Sequence, residues 1–213
     1  MISAIILAAG LSSRMNGENK LIKQINGIPL INHTLKNILG SAVDEIIIVV
    51  GYEENILKKI IGKSKKIKII YNKDYKNGIA SSIKIGLKNI SKKTEAFFIG
   101  LGDMPNVNQN IYNKLIKARN KYNKKLKIQH KKEIIIPTYK GKNGNPILFS
   151  KYMKEEIMKI KGDTGAKSLI ELNMKKILKV PFKNDGIVLD FDKPEDFNSL
   201  WVYFLNHEAV LFL

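Results

Sequence analysis

Short runs of apolar, largely β-branched residues alternate along the chain with longer segments in which apolar residues recur every three or four positions. The runs predict buried strands and the periodic segments predict helices, an alternation that is typical of a parallel sheet. The predicted strands are Ser3–Leu7, Glu45–Val50, Lys68–Tyr71, Ala96–Leu101 and Glu133–Pro137, and the predicted helices are Leu30–Leu39, Glu54–Ile61, Ala80–Asn89 and Asn108–Tyr122.

The alternation changes after Pro137, where the predicted elements become shorter. They are a segment at Pro146–Phe149, helices at Lys151–Ile160 and Thr164–Leu172, strands at Lys176–Val180 and Gly186–Leu189, and a terminal helix from about Pro194. Proline suits the first turn of such a helix because its missing N–H is not needed there. We find no repeat and no linker, so residues 1–213 are expected to form a single Rossmann-like α/β domain, with a core of about 1–197 and a C-terminal helix or tail at 198–213.

The first predicted strand runs into a loop of small residues, Ala8-Ala9-Gly10-Leu11-Ser12-Ser13-Arg14-Met15, which leads to Lys20. Gly and Ala let a backbone approach a phosphate closely, and the arginine and the lysine supply positive charge. Neither the P-loop spacing nor G-x-G-x-x-G is present. The sequence therefore indicates another type of phosphate loop, with an ordinary turn after a strand as the alternative.

Acidic residues follow two of the predicted strands. Asp103 lies in Gly102-Asp103-Met104-Pro105, and Asp190 and Asp192 follow Gly186–Leu189, where alternation places both on one side of an extended segment. Ligands of an open parallel sheet bind beyond the carboxyl ends of its strands, and Mg²⁺ prefers oxygen ligands. The three carboxylates are therefore candidate metal ligands. The alternatives are an Asx turn at Asp103 and a helix cap at Asp192.

The segment from Leu7 to Lys20 resembles the signature of the MobA-like NTP transferase family, L-A-[AG]-G-x-[SG]-x-R-[ML]-G-x-x-K. Asn16 replaces the usual glycine, and one additional residue precedes Lys20. The segment around Asp103 resembles the family's G-D-x-P, and residues 190–196 resemble its D-[IV]-D-T-P-E-D. The resemblance implies a three-layer α/β/α nucleotidyltransferase fold with a mostly parallel sheet, and Mg²⁺ bound by Asp103 with Asp190 or Asp192.

Three further segments resemble parts of the same family, and each has a plainer alternative or a departure. Residues 77–83 resemble the segment whose glycine and second serine touch the base, although Ser81 or Ser82 could simply cap a helix. Residues 144–149 resemble a segment on the side of the phosphorylated acceptor, with Asn145 in place of histidine. Residues 162–167 resemble G-D-x-G-[AL]-R with Lys167 in place of arginine, where helix N–H groups could meet an anion.

The resemblance implies three sets of site residues. The catalytic residues are Arg14, Lys20 and Asp103. The nucleotide-binding residues are Leu7, Ala8, Ala9, Gly10, Ser12, Arg14, Lys20, Gly78 and Ser82. The residues that bind the phosphorylated acceptor are Asn145, Gly162, Asp163, Gly165 and Lys167.

Within this family the chain resembles the molybdenum cofactor cytidylyltransferase group most. The resemblance implies Mg²⁺-dependent transfer of CMP from CTP to molybdopterin with release of pyrophosphate, and it suggests a molybdenum hydroxylase or its maturation chaperone as a partner. GTP as the nucleotide, and a sugar phosphate or phospholactate as the acceptor, remain alternatives.

The net charge of +18 raises the alternative of a lysine-rich nucleic-acid-binding protein. Only Arg14 and Arg119 are arginines among the 37 basic residues, and arginine makes most bidentate contacts to bases. We therefore expect a solvated lysine surface and no specific nucleic-acid partner. The chain lacks cysteine, so disulfides, thiolate metal sites and thiol nucleophiles are excluded. No stretch is typical of a membrane span or signal peptide, so a cytoplasmic location without membrane partners is expected.

Overall fold

The computed structural model of the chain describes residues 1–15, 17–124, 132–163, 165, 167–193 and 195–197, and for 167 and 168 it describes the backbone only. Asn16, most of the predicted terminal helix and the tail at 198–213 lie outside the described residues.

Ten strands and six α-helices lie in the described part of the chain. The strands are β1 (Ile2–Ala8), β2 (Gln24–Ile25), β3 (Ile28–Pro29), β4 (Glu45–Val50), β5 (Ile67–Tyr71), β6 (Ala96–Leu101), β7 (Ile134–Tyr139), β8 (Lys142–Asn143), β9 (Ile147–Ser150) and β10 (Ile177–Pro181). The helices are α1 (Leu30–Leu39), α2 (Glu54–Ile61), α3 (Ile79–Asn89), α4 (Gln109–Asn123), α5 (Lys154–Ile157) and α6 (Lys167–Leu172).

One sheet of eight strands forms the centre of the described structure, in the order β10-β7-β9-β6-β1-β4-β5, with β8 paired to β7. Strand β1 is parallel to β4 and β6, and Ile5 lies beside Ile47 on one side and Ile99 on the other. Strand β9 is antiparallel to both β6 and β7, whereas β7 and β10 are parallel. The sheet is mostly parallel, as the sequence predicts.

Helices cover both faces of this sheet because its central strands are apolar at successive positions, as expected for strands buried on both sides. Ala4 and Ile6 of β1 pack with buried side chains of α1, α2 and α4. Ile5 and Leu7, which point to the opposite face, pack with side chains of α3, α5 and α6. This confirms the predicted three-layer α/β/α architecture.

Two predicted elements are different in the structure. The predicted strand Gly186–Leu189 is wrong, since residues 185–187 form a 3₁₀ turn. The Asn184 side chain accepts a hydrogen bond from Gly186 N–H, and a Cβ on Gly186 would lie 2.7 Å from Asn106 Cβ. The predicted helix Lys151–Ile160 is shorter, because residues 151–153 form a 3₁₀ turn before α5.

A short hairpin, β2–β3, was not predicted from the sequence. Its turn is Asn26-Gly27, and both residues have positive φ, 51° and 76°. Asn-Gly is a strong signal for a tight hairpin turn, so the dipeptide could have revealed it. In the described residues no helix has the length and apolar character needed to cross a membrane.

Candidate active site

A cavity of about 300 Å³ lies at the carboxyl edge of the sheet, beside the ends of β1 and β6. This is the edge at which open parallel sheets bind ligands. The cavity is lined by Leu7, Ala8, Ala9, Gly10, Leu11, Ser12, Lys20, Leu21, Tyr75, Lys76, Gly78, Ile79, Ser82, Leu101, Asp103 and Asp163. Every nucleotide-binding residue that the resemblance implies lines it, apart from Arg14.

The loop after β1 leaves one wall of the cavity open to a ligand. A Cβ on Gly10 would meet nothing within 4 Å, so the backbone there is uncovered. Ser12 has a φ of 51°, and its Oγ accepts a hydrogen bond of 3.2 Å from Lys20 N–H. This contact holds the backbone of Lys20 against the loop. The Lys20 side chain lines the cavity, even though the sequence has one residue more before Lys20 than the family signature.

Lys20 and Asp103 line one end of the cavity and Asp192 lies against Lys20; these three residues form the charged end. The Lys20 ammonium forms ion pairs with both carboxylates, and its side chain is 16% exposed. Burial alone would lower the pKa of this ammonium, but the charges and hydrogen bonds of the two carboxylates raise it above its ordinary value. Lys20 therefore stays protonated beside the cavity.

Arg14 reaches the same charges from outside the cavity. Its Nη1 lies 2.9 Å from Asp192 Oδ2, and its side chain is 70% exposed. Burial would raise the pKa of Asp192, but Lys20 and Arg14 together hold it below its usual value. Arg14 thus contributes charge through an exposed ion pair, which is a weak interaction in water.

Asp103 has a buried oxygen available for a cation. Its Oδ2 pairs with Lys20, whereas its Oδ1 is buried and has no hydrogen-bond partner among the described residues. Partial burial raises the pKa of Asp190, and the charges of Asp192 and Asp103 raise it further. No cluster of three or more metal-ligating side chains occurs in the described residues. Mg²⁺ commonly takes one or two carboxylates together with substrate phosphates, which this donor set fits.

A helix cap, the alternative role of Asp192, is not seen in the described residues, and the predicted helix from Pro194 lies mostly outside them. The two carboxylate oxygens of Asp192 face Lys20 and Arg14. Asp196 Oδ2 instead accepts hydrogen bonds of 2.9 and 2.8 Å from the N–H groups of Asp192 and Lys193. Asp196 thus binds the backbone of residues 192 and 193, while the side chain of Asp192 contacts the two cations.

Gly78, Ser82 and Asp163 line the α3 end of the cavity, and Asn72 lies behind it. Gly78 has a φ of 91°, and a Cβ there would lie 2.7 Å from Asp163 Oδ1. Asp163 Oδ1 accepts a hydrogen bond of 3.0 Å from Ile79 N–H, and the adjoining carbonyl of Gly162 accepts one of 3.1 Å from the next N–H of the helix. Gly78 thus lets the loop at 162–163 close onto the start of α3.

The prediction that Ser81 or Ser82 caps α3 is also wrong. No side-chain cap is present at Gly78, and the loop at 162–163 satisfies the first N–H groups of the helix. Ser81 Oγ contacts the carbonyls of Gly78 and Asp74, both at 2.9 Å. Ser82 Oγ accepts a hydrogen bond of 3.0 Å from Asn72.

The residues implied for the phosphorylated acceptor are only partly brought together. Asp163 lines the cavity, and Gly165 lies against Ile79, to which an added Cβ would be 3.6 Å distant. Asn145 is not among the lining residues, and its backbone N–H donates to the carbonyl of Ile187 at 2.8 Å. The backbone of Lys167 begins α6.

Six lining residues were not predicted, among them the polar pair Tyr75 and Lys76; the others are Leu11, Leu21, Ile79 and Leu101. Tyr75 and Lys76 lie in a 3₁₀ turn after β5, the strand end whose loop the sheet topology directs toward the ligand edge. A Cβ on Gly51 would be 2.6 Å from Tyr75 Cβ, so the missing side chain lets Tyr75 approach the sheet. The position of β5 in the sheet indicated that the loop after it lies near the ligand, but it could not indicate which side chains of that loop face the cavity.

Comparisons with known proteins agree with this site. Residues 4–178 match the model of the MobA-like NTP transferase domain. The molybdenum cofactor cytidylyltransferase of Escherichia coli (strain K12) is 33% identical over 196 residues, which cover 92% of this chain and 93% of that protein.

Solved structures share the fold at lower identity. Rv0371c of Mycobacterium tuberculosis H37Rv superposes with a TM-score of 0.79 at 20% identity, over 94% of this chain and 97% of that one. A manganese complex of Rv0371c has a TM-score of 0.75 at 18% identity, over 94% and 98% of the two chains. CMP:2-keto-3-deoxy-manno-octonic acid synthetase complexed with CTP has a TM-score of 0.72 at 12% identity, over 96% and 98%.

A three-layer α/β/α fold with a small-residue loop, a lysine and carboxylates at its carboxyl edge defines an enzyme of the nucleotidyltransferase class. The chain belongs to the MobA-like NTP transferase family.

Proposed function

We propose that the protein transfers CMP from CTP to a phosphorylated acceptor, molybdopterin, in a Mg²⁺-dependent reaction that releases pyrophosphate. The observation that carries the proposal is the Lys20 ammonium, which lies between Asp103 and Asp192 beside the cavity. Such a combination suits a triphosphate that binds with its metal. The Escherichia coli relative supports the choice of CTP and of the molybdenum cofactor.

The two ends of the cavity favour one orientation of the nucleotide. At the α3 end the first N–H groups of the helix are occupied, and the Asp163 carboxylate would repel a phosphate. At the charged end Lys20 attracts one. We therefore assign the triphosphate to the charged end, and the base to the backbone of residues 7–10 together with Gly78 and Ser82.

The reaction needs no protein nucleophile. A phosphate oxygen of the acceptor attacks the α-phosphorus in line, a new P–O bond forms, and the bond to pyrophosphate breaks. Such chemistry depends on positioning and on neutralised charge. Lys20 neutralises the triphosphate near the α-phosphate, and Arg14 adds charge from the rim. Mg²⁺, held by Asp103 with Asp192 or Asp190, supplies further charge neutralisation when it is bound.

The phosphorylated acceptor approaches from the side of the segments that resemble the family's acceptor residues, with its phosphate directed toward Lys20 and away from the Asp163 carboxylate. Asp163 lines the cavity there, with Gly162 and Gly165 in the same loop. We also assign Asn145, in segment 144–149, and Lys167, in segment 162–167, to binding of the phosphorylated acceptor.

Pyrophosphate release with CTP and with GTP, at equal concentrations with molybdopterin and Mg²⁺, tests the proposal. Ala9 lines the cavity, and its methyl group takes space that a purine needs. We expect CTP to be preferred by about 10- to 200-fold, and an Ala9→Gly variant to relax the preference. A preference for GTP would contradict the cytidylyl assignment. Turnover with a sugar phosphate or phospholactate, and none with molybdopterin, would contradict the acceptor.

A further inference from the structure

Asn72 is a buried amide directly behind the wall of the cavity. It follows β5, its side chain and backbone together are 2% exposed, and it does not line the cavity. Its Nδ2 lies 2.8 Å from Ser81 Oγ and 3.0 Å from Ser82 Oγ. Its Oδ1 lies 3.1 Å from the backbone nitrogen of Asp74. Both polar atoms of the Asn72 side chain are therefore hydrogen-bonded.

A backbone group fixes which way round the Asn72 amide lies. The N–H of Asp74 can only donate, so the atom that faces it must be the amide oxygen. The NH₂ group then faces the two serines, and both serine oxygens accept a hydrogen bond from it. The backbone N–H of Asp74 therefore sets the direction of both contacts with the serines.

The two serines differ in whether their hydroxyl protons have an acceptor. Ser81 donates to the carbonyls of Gly78 and Asp74. Ser82 is 4% exposed and lines the cavity, and in the described part of the chain no acceptor for its proton appears among its contacts. Its hydroxyl is left to donate into the cavity. A buried donor without a partner is costly, so a ligand that supplies an acceptor is favoured.

We propose that Asn72 is a positioning residue that fixes Ser82 as a hydrogen-bond donor toward the nucleotide base. This inference rests on the proposed function, since it requires the base at the α3 end. The base atom that meets Ser82 is then a carbonyl oxygen or an unprotonated ring nitrogen. An exocyclic amine at that point would place two donors against each other, so the contact selects among bases and among their orientations.

Replacement of the Asn72 NH₂ group by an oxygen tests the inference directly. Asn72→Asp is nearly isosteric and keeps an oxygen for the N–H of Asp74, but its second oxygen accepts from Ser82 and turns the hydroxyl away from the base. We expect CTP binding, measured by calorimetry with Mg²⁺ in the full chain, to weaken about 10- to 100-fold. Ser82→Ala should weaken it similarly. The double variant should bind CTP no more weakly than Ser82→Ala alone.

Ser81→Ala is the matched control, because Ser81 contacts the same amide and does not line the cavity. It should leave CTP affinity within about twofold of the wild type, well below the losses expected above. Asn72→Ala removes the amide without adding charge, and it replaces Asn72→Asp in the cycle if thermal unfolding shows that the acidic variant does not fold.

Additive losses in the double variant would overturn the role of Asn72, since they would show that it acts through the loop and not through Ser82. Equal losses from Ser81→Ala and Ser82→Ala would overturn it as well. Failure of the proposed function has a different signature. A wild type that binds GTP in place of CTP removes the cytidylyl assignment, and the same cycle with GTP then decides the role of Asn72. A wild type that binds no nucleotide removes both proposals.

Discussion

The charged end and the α3 end of the cavity hold their polar groups in different ways. At the charged end, Lys20 reaches Asp103 and Asp192 with a long side chain from a loop. At the α3 end, a buried amide, a glycine with positive φ and backbone N–H groups are packed within contact distance of one another. Long charged side chains can change partner when a ligand arrives, whereas buried hydrogen-bonded groups cannot do so without loss. The comparison suggests that charge is supplied by an adaptable end and base selection by a rigid one.

Lys20→Ala should have the largest effect on this comparison. We expect turnover to fall by about two to four orders of magnitude, because the variant loses the cation that the proposed function places near the α-phosphate. Steady-state pyrophosphate release measures the change. Lys23→Ala is the control, since Lys23 Nζ lies 4.9 Å above the Phe197 ring and does not line the cavity. Near-normal turnover in Lys20→Ala would show that the triphosphate does not bind at the charged end.

Asp103→Asn should reduce turnover by about 100-fold or more while the fold is kept, because it removes charge without a change of size. The buried Oδ1 of Asp103 is the reason to expect this dependence. Pyrophosphate release over a range of Mg²⁺ concentrations measures it. Asp192→Asn should cost more activity than Asp190→Asn, since Asp192 contacts Lys20. Equal and mild losses from both variants would leave Asp103 as the only protein ligand.

Gly78→Ala should reveal the rigidity of the α3 end. The added Cβ would lie 2.7 Å from Asp163 Oδ1 in a backbone with φ of 91°, so we expect a loss of about 1–3 kcal/mol in the free energy of unfolding. Gly10→Ala is the matched variant at the other wall, where a Cβ meets nothing within 4 Å. It should keep the stability of the wild type and weaken CTP binding. Urea unfolding and calorimetric titration of both variants separate the two effects, and equal stability losses would contradict the comparison.

Arg14→Gln should have the smallest effect. The Arg14 side chain is 70% exposed, and exposed ion pairs contribute about 0–1 kcal/mol, which corresponds to a change of a few-fold in turnover. Parallel assays of Arg14→Gln and Lys20→Ala at low and high salt measure the difference. A loss as large as that of Lys20→Ala would place the guanidinium on the triphosphate and extend the charged end beyond the cavity.

Short segments of the sequence indicated residues at both ends of the cavity, Gly78, Ser82 and Asp163 among them, but not the contacts that assemble the α3 end. Lys20 and Asp103 lie within short segments, at strand ends that the apolar pattern locates. The contact between Ile79 and Asp163 joins residues 84 positions apart, and no local pattern reports it. The predicted serine cap failed for this reason, because a distant loop satisfied the same N–H groups. The strand predicted at Gly186–Leu189 failed because packing against Asn106 overrode its local preference.

The closure of the loop at 162–163 onto α3 bears on how the enzyme could be re-engineered. This loop resembles the segment that other family members direct toward the phosphorylated acceptor, yet here Asp163 and Gly162 also complete the start of the helix that bears Ser82. Under the proposed function, a transplant of residues 162–165 from a relative would carry a nucleotide determinant along with an acceptor determinant. The two specificities would then not be separable, and a graft would have to include Gly78 and its neighbours to keep the helix start intact.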